Sequence, residues 1–159
     1  MEVEVKNPYE VEDSNLRNLF LLLTELSKRV YEELGSGFPE DIYQKALMVE
    51  MRDAGIRFQR EVNIEIYYKG IPLGFDRPDF IIRPFSNGKI SISKPIVVEL
   101  KTVSKLKEEH ITQGKTYLRS LPHSSDGELK ECDHCILINF PKNDGKDVEL
   151  ILLERRCEA

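Results

Sequence analysis

The sequence predicts a mixed α/β domain in which helices cover a mainly antiparallel sheet. Three observations lead to this fold class. Apolar residues recur at helical spacing near the start of the chain and again after its middle, alternating strand segments lie between these stretches, and turn signals separate neighbouring strands. The expected order of elements along the chain is α-α-β-β-β-α-β-β.

Three segments are expected to be helical. Ser14 is a suitable N-cap for a helix over residues 14–34, in which leucines recur at helical spacing before a glycine-rich stop. The second helix is expected over residues 39–55, with proline in its first turn and glycine at its end. Residues 106–120 return to helical spacing, with Gly114 as a weak point in the interior.

The segments between the helices have the patterns of strands. Residues 62–68 alternate in polarity, and a turn leads from them into an apolar segment that includes residues 79–84. The dipeptide Asn87-Gly88 is a hairpin signal, so residues 79–84 should pair with the strand that starts at Ile90. Two further strands are expected after the third helix, over residues 136–140 and 148–153.

Length and composition favour one globular domain. The chain has 159 residues, of which 40% are hydrophobic, and a net charge of −5. Residues 1–13 hold five acids against Lys6, so we expect an acidic N-terminal tail in front of a single domain over residues 14–159. No signal peptide opens the chain and no apolar run reaches the roughly 18 residues of a membrane span, which predicts an intracellular, cytoplasmic protein.

Residues 101–119 carry more bases than acids, in contrast to the acidic chain as a whole. Lysines and one arginine outnumber two glutamates in this segment. Such a patch can contact a phosphate chain. A solvated helix face is an equally good interpretation of the patch taken alone.

Two apolar strand segments contain charged residues at positions that suit a core. They read RPDFII (residues 77–82) and IVVELKT (residues 96–102), and their central charges are Asp79, Glu99 and Lys101. Because successive strand residues point to opposite faces, Glu99 and Lys101 share one face while the apolar residues beside them face a packing layer.

The predicted hairpin brings Asp79 near Glu99. A turn centred on Asn87-Gly88 places Asp79 opposite a residue near position 96, within a few residues of Glu99 once twist and bulges are allowed. Two carboxylates that meet in a sheet repel each other and lose hydration unless a cation compensates. Oxygen ligands with open positions favour Mg²⁺ or Mn²⁺, and Lys101 beside them would stabilise developing negative charge. The alternative is an exposed Glu99–Lys101 pair, with Asp79 as a residue at the strand entry.

The residues of these strands resemble the core motif of the PD-(D/E)XK nuclease superfamily. Pro78-Asp79 and, after a hairpin, Glu99-Leu100-Lys101 match its pattern. Residues 37–43, GFPEDIY, resemble the G-x-x-E-x-x-Y signature of the GxxExxY group within that superfamily. Gln113 and Tyr117 resemble the Q-x-x-x-Y element of RecB-like nucleases.

The resemblance covers most of the chain and implies a restriction-endonuclease-like core with a set of site residues. It makes Asp79, Glu99 and a helix acid the metal ligands, and Lys101 the residue that positions the nucleophile or stabilises charge. It also implies that Gln113 forms a hydrogen bond on the Lys101 side of the site and that Tyr117 contacts substrate. A core-packing role for Tyr117 stays open.

The third carboxylate has two candidates on the second helix. Glu40 and Glu50 lie within one arc of that helix, so either can face the sheet. The following strand should run back along the helix and end at Tyr68 beside the helix start, shortly before Asp79. This favours Glu40 as the catalytic and metal-binding acid and leaves Glu50 in reserve.

Several other residues suggest a metal or acid-base role without deciding it. Tyr31 occupies the position of a histidine in many GxxExxY relatives, and His110 lies on the helix face of the Q-x-x-x-Y element, where it can equally be structural. Cys132 and Cys135 resemble a CxxC metal pair, with Cys157 as a third thiol. A fourth ligand of suitable spacing is missing, so buried or incidental thiols are favoured over a zinc or iron–sulfur site.

The function expected from these residues is hydrolysis of DNA phosphodiester bonds with Mg²⁺ or Mn²⁺ as cofactor. The protein would contact the DNA backbone without sequence preference, guided by Gln113 and by Lys105, Lys107 and Lys115. A homodimer or a larger repair or defence complex would be compatible with this activity, and no membrane partner is expected. The alternatives are a catalytically silent nuclease-fold module that binds nucleic acid or a protein partner, and a metal-free structural subunit of a defence or repair complex.

Overall fold

The computed structural model describes residues 2–156, which form three α-helices, ten strands and short 3-10 turns. The helices are α1 (Ser14–Leu34), α2 (Glu40–Asp53) and α3 (Glu108–Ser120). The strands are β1 (Glu2–Lys6), β2 (Phe58–Arg60), β3 (Ile64–Tyr68), β4 (Ile71–Asp76), β5 (Phe80–Ile82), β6 (Phe85–Ser86), β7 (Ser91–Ile92), β8 (Ile96–Lys101), β9 (His134–Asn139) and β10 (Glu149–Arg156).

Six of the strands form one sheet in the order β1-β10-β9-β8-β5-β2. All neighbours in it are antiparallel except β8 and β9, which are parallel. The helices α1 and α2 pack on one face of this sheet and α3 on the other. The fold class expected from the sequence, a mixed and mainly antiparallel sheet flanked by helices in a restriction-endonuclease-like core, is confirmed.

The packing of β8 follows the alternation read from its sequence. Val98 and Leu100 lie in the apolar layer under α1 and α2, whereas Val97 lies in the layer under α3. Glu99 therefore points to the α3 side. None of the helices within residues 2–156 is long and apolar enough to cross a membrane.

The helix boundaries differ slightly from the expected ones for local reasons. Asp13 rather than Ser14 caps α1, because its carboxylate accepts hydrogen bonds from the backbone N–H groups of Asn15 and Leu16. Gly35 ends the helix with a φ of 73°, a conformation that favours glycine. Pro39 is the N-cap of α2, so the helix begins at Glu40.

The first residues do not form the separate acidic tail that the charge pattern predicts. β1 pairs with β10 at one edge of the main sheet, and Val3 is buried in the layer under α3. The acids of this strand lie on an edge where bases face them, as in the pair between Glu4 and Arg156. The negative charge of the segment is thus part of the domain surface.

The hairpin after α2 also differs from expectation. β3 and β4 form a two-stranded sheet of their own, and β3 packs against α3 instead of running back along α2. The strand that does follow α2 into the main sheet is the short β2, which the sequence analysis missed. Its three residues pair with β5.

The register between β5 and β8 places Asp79 opposite Glu99, three residues beyond position 96. Two of the three residues come from the turn, because the small β6–β7 hairpin pairs Ser86 with Ser91 and so has a four-residue loop rather than a two-residue one. The third comes from residues 93–95. Three residues connect β7 to β8, whereas only two, residues 83–84, connect β5 to β6. The expected hairpin at Asn87-Gly88 is present, with this longer loop.

Candidate active site

Two acids face each other where β5 begins and β8 ends. Asp79 immediately precedes β5, and its backbone N–H donates a hydrogen bond to Oε1 of Glu99 at 3.1 Å. In return, the backbone N–H of Leu100 donates to Oδ2 of Asp79 at 2.6 Å. These bonds fix both carboxyl groups relative to the sheet, so their positions follow from the strand register.

The electrostatics of this pair are unfavourable in the protein alone. Glu99 is only 4% exposed. Burial, and then the hydrogen bond and negative charge of Asp79, raise the pKa of Glu99 well above its ordinary range, against smaller opposing effects of Tyr117 and Lys101. When no cation lies between two adjacent carboxyl groups, the state in which they share one proton is more stable than the state in which both are ionised.

Tyr117 and Gln113 reach the site from α3. The Tyr117 hydroxyl donates a hydrogen bond to Oε2 of Glu99, and the Gln113 side-chain amide donates to the Tyr117 oxygen at 3.1 Å. Burial and the neighbouring Glu99 raise the pKa of Tyr117 above its usual value, so the hydroxyl remains a donor. The hydrogen bond found for Gln113 is therefore to Tyr117, whereas the resemblance placed it on the Lys101 side.

Gly114 explains how α3 comes close enough for these contacts. It is buried, and a Cβ atom at this position would lie 2.5 Å from a methyl carbon of Leu153. The residue that the sequence marks as a helical weak point is thus a packing requirement. His110 has a structural role at the start of the same helix, where its Nδ1 accepts a hydrogen bond from the backbone N–H of Lys107 at 2.9 Å.

Glu40, the first residue of α2, lies at the same site. Burial, and then the negative charge of Asp79, raise the pKa of the Glu40 carboxyl, while Lys101 and a hydrogen bond to Gln44 act in the opposite direction. Glu50, the reserve candidate, lies elsewhere, because its carboxylate pairs with Arg29 of α1 at 2.9 Å. The structure therefore brings Glu40, and not Glu50, to Asp79.

Gln44 is a site residue that the sequence analysis missed. Its side-chain amide donates a hydrogen bond to Oδ1 of Asp79 and also bonds to Glu40. Its spacing of four residues from Glu40 puts both on one helical face, which was the available signal. Gln44 links the helix acid to the strand acid.

Lys101 ends β8 and is half-buried. Its positive charge lowers the pKa of both Glu40 and Glu99 against the larger effect of burial. Its backbone oxygen accepts a hydrogen bond from the N–H of Phe140 at 2.9 Å, which ties the strand end to the chain after β9. The charges of Asp79 and Lys101 thus act on both Glu40 and Glu99, which places these four residues in one cluster, and Tyr117 and Gln113 lie behind Glu99.

The oxygen atoms of this cluster are suitable ligands for a hard divalent cation. Carboxylate oxygens are the ligands that Mg²⁺ and Mn²⁺ prefer, and each ionised oxygen can accept more than the single hydrogen bond it makes here. A cation would also offset the repulsion within the pair. In residues 2–156, however, no group of three or more His, Cys, Asp or Glu side chains is already spaced to hold a metal ion, so binding of a cation would require the acids to move closer together.

Comparison with known proteins identifies the family. A model described as the PD-(D/E)XK nuclease superfamily matches residues 18–151. The chain belongs to this superfamily. The matched range includes every predicted site residue of this PD-(D/E)XK protein and supports a nuclease-type function.

Other comparisons add little to this assignment. No curated protein matches the chain. A solved structure titled "Crystal structure of SSO0001" is 20% identical, with a TM-score of 0.47, and the match covers 75% of this chain and 52% of that one. The PD-(D/E)XK chain thus spans about half the length of that protein.

Cys132 and Cys135 are core residues, and the negative charge of Glu99 acts on Cys135. Cys132 and Cys135 are fully buried in the layer under α3, and burial raises the pKa of both thiols. Protonated core thiols are poor metal ligands, since metals bind the thiolate. Cys157 lies outside the described residues.

Proposed function

We propose that this protein hydrolyses phosphodiester bonds in DNA with Mg²⁺ or Mn²⁺ as cofactor. One observation carries the proposal: the carboxyl groups of the partly buried Asp79 and the buried Glu99 are fixed side by side by backbone hydrogen bonds, with the single positive charge of Lys101 beside them. Burying like charges is costly, and structural needs alone do not explain it. The nuclease-type superfamily assignment supports the same conclusion.

Each residue then has a defined task. Asp79 and Glu99 would hold the cation, with Glu40 as the third ligand directly or through water. A bound divalent cation supplies an activated water and neutralises charge on the phosphoryl group. Lys101 would orient the attacking water or stabilise the charge that develops on the phosphate oxygens. Tyr117, with Gln113 behind it, keeps Glu99 aimed at the site, and Gln44 does the same for Asp79.

The finer family placement is part of the proposal. The residues of GFPEDIY support membership of the GxxExxY group, because its glutamate is Glu40 and lies at the site. The glutamine of the RecB-like element forms a hydrogen bond with its tyrosine, and the tyrosine forms one with Glu99. DNA is the proposed partner, and a homodimer or a repair or defence complex remains a prediction.

The test is a cleavage assay on labelled single- and double-stranded DNA with Mg²⁺, Mn²⁺ or EDTA. We expect cation-dependent cleavage by the wild type and a loss of at least about a hundredfold in rate for Asp79→Ala and Lys101→Ala. Binding without cleavage under every condition would instead favour the silent nuclease-fold module.

A matched pair of variants tests the helix acid. Glu40→Gln and Glu50→Gln remove one carboxylate each from α2, but only Glu40 lies beside Asp79. We expect cleavage to fall strongly in Glu40→Gln and to stay near the wild-type rate in Glu50→Gln. Equal activity of the two variants would remove Glu40 from the proposed ligand set.

A further inference from the structure

A cavity of about 320 Å³ opens directly beside the acid site. Its lining includes Phe38, two residues before Glu40, and Thr102, which follows Lys101. Phe140 also lines it, and its backbone N–H donates a hydrogen bond to the Lys101 oxygen. Because these residues adjoin Glu40 and Lys101 in the chain, a DNA strand with one phosphate at the acid site would have a neighbouring nucleotide near this cavity.

Three of the residues that line the cavity are aromatic, namely Phe38, Tyr43 and Phe140, and of these only Phe38 is exposed. The rings of Tyr43 and Phe140 are stacked with centroids 4.8 Å apart and planes 9° from parallel. Phe38 meets the Tyr43 ring edge-on, and it is 44% exposed although it is a large apolar residue. An exposed aromatic side chain that lines a cavity can stack on a flat ligand bound there.

Polar side chains also line the cavity. They are Thr102 and Asn143, which can form hydrogen bonds with the edge of a heterocyclic ring, and Lys142, which is exposed. Polar groups beside an exposed aromatic ring can orient a small planar ligand within such a pocket. Lys142 adds a positive charge where a phosphate chain would pass.

Hydrogen bonds from two tyrosines hold the loops that carry the lining residues. The Tyr43 hydroxyl donates to the Gly35 oxygen at 2.6 Å, which fixes the loop that carries Phe38. The Tyr31 hydroxyl donates to the Pro141 oxygen at 2.8 Å, which fixes the loop that carries Lys142 and Asn143. This gives Tyr31 a structural task at the position where many relatives carry histidine. The cavity is thus preformed.

We infer that this cavity, hereafter the base pocket, binds one unpaired nucleobase of the DNA strand next to the phosphate at the acid site. The inference rests on the proposed nuclease function and specifies its substrate. Phe38 stacks on the base, Thr102 and Asn143 contact its edge, and Lys142 meets the adjoining phosphate. Because a paired base is held within the duplex stack, the pocket selects single strands, flaps or frayed ends.

The direct test uses thymidine oligodeoxynucleotides that carry 2-aminopurine, a base whose fluorescence falls on stacking. Binding is measured in EDTA, which separates it from cleavage, for the single strand and for the same strand in a full duplex. The variants are Phe38→Ala and Phe38→Trp. The control is Tyr9→Ala, which removes another exposed aromatic residue, in the turn after β1 at the far edge of the sheet.

We expect the single strand, but not the duplex, to lose fluorescence on binding the wild type, Phe38→Trp and Tyr9→Ala. Phe38→Ala should abolish the quenching and weaken single-strand binding by about tenfold or more, since stacking on one aromatic residue contributes that much. Thermal unfolding of each variant shows whether it is folded. Because Phe38 is exposed, we expect its substitution to leave the fold intact.

The outcomes separate this inference from the proposed function. Metal-dependent cleavage by the wild type, with equal quenching and affinity in Phe38→Ala, would overturn the base pocket and leave the nuclease standing. Phe38-dependent quenching without cleavage in Mg²⁺ or Mn²⁺ would support the pocket and overturn the enzyme. Duplex binding as tight and as strongly quenched as single-strand binding would also overturn the inference.

Discussion

Two regions of the sheet hold buried or partly buried acidic side chains, and they differ in how the negative charge is compensated. Near the start of β9, Asp133 accepts hydrogen bonds from Arg155 at 2.8 Å and from Lys94 at 3.1 Å. Although burial by itself raises the pKa of Asp133, the two cations outweigh it and lower the pKa. At the acid site, burial and the second acid together raise the pKa of Glu99.

This difference in pKa direction distinguishes an ion pair that stabilises the fold from a pair of acids whose charges are not balanced within the protein. Arg155 is 7% exposed and also donates to the backbone oxygens of Leu118 and Lys130, so its charge and its donors are satisfied within the protein. Asp79 and Glu99 have Lys101 nearby as their cation but keep an excess of negative charge. Stability explains the first arrangement, whereas the second supports the proposed cation site.

The largest effect on stability should come from breaking the satisfied pair. Arg155→Met leaves Asp133 partly buried without its main partner, and we expect a loss of about 3–5 kcal/mol in the free energy of unfolding, measured with urea. Lys94→Met is the matched control, because Lys94 pairs with the same carboxylate from a side chain that is 53% exposed. It should cost no more than about 1 kcal/mol. Equal losses in the two variants would break the comparison.

Cation binding should stabilise the other region by an intermediate amount. At a concentration of Mn²⁺ a hundred times its Kd, the free energy of unfolding should rise by about 2.7 kcal/mol, because the ion binds only the folded site. The measurement is urea unfolding with and without Mn²⁺. The increase should disappear in Asp79→Asn and persist in Lys94→Met, and an increase of the same size in Asp79→Asn would place the ion elsewhere.

The smallest effect should come from neutralising one acid of the unsatisfied pair. Glu99→Gln keeps the side-chain shape and relieves the repulsion of Asp79, so without metal its stability should equal or exceed that of the wild type by up to about 1 kcal/mol. The same variant should lose cleavage activity. A loss of stability comparable with that of Arg155→Met would mean that Glu99 is a structural acid.

Residue types and their order were sufficient to predict the main helices, the faces of β8 and the meeting of Asp79 with Glu99. These follow from periodicity and from the strongly marked motif. The path of β3 could not be predicted, because alternation over residues 62–68 fits a separate hairpin as well as a strand of the main sheet. β1 was missed because five acids among thirteen residues conceal the short alternation that lets Val3 be buried.

Within the site, sequence reasoning reached the charged residues but not their hydrogen-bond partners. Gln44 has no signal beyond its spacing from Glu40, and whether a glutamine meets an aspartate depends on how α2 lies against the sheet. The choice between Glu40 and Glu50 was decided by Arg29, a residue on another helix. Such contacts depend on tertiary packing, which a periodic pattern does not specify.

The extra residue in the segment 93–95 has a consequence for how such a site can be gained or lost. If the pairing of β6 and β7 continued without it, Asp79 would lie opposite Val98. A deletion of one codon in this segment, such as that for Ser93, would then point Glu99 to the apolar face or break the pairing, with every motif residue still in the gene. A chain could thus keep the complete nuclease signature and have no active centre. The site requires the spacing between the motifs as well as the motif residues.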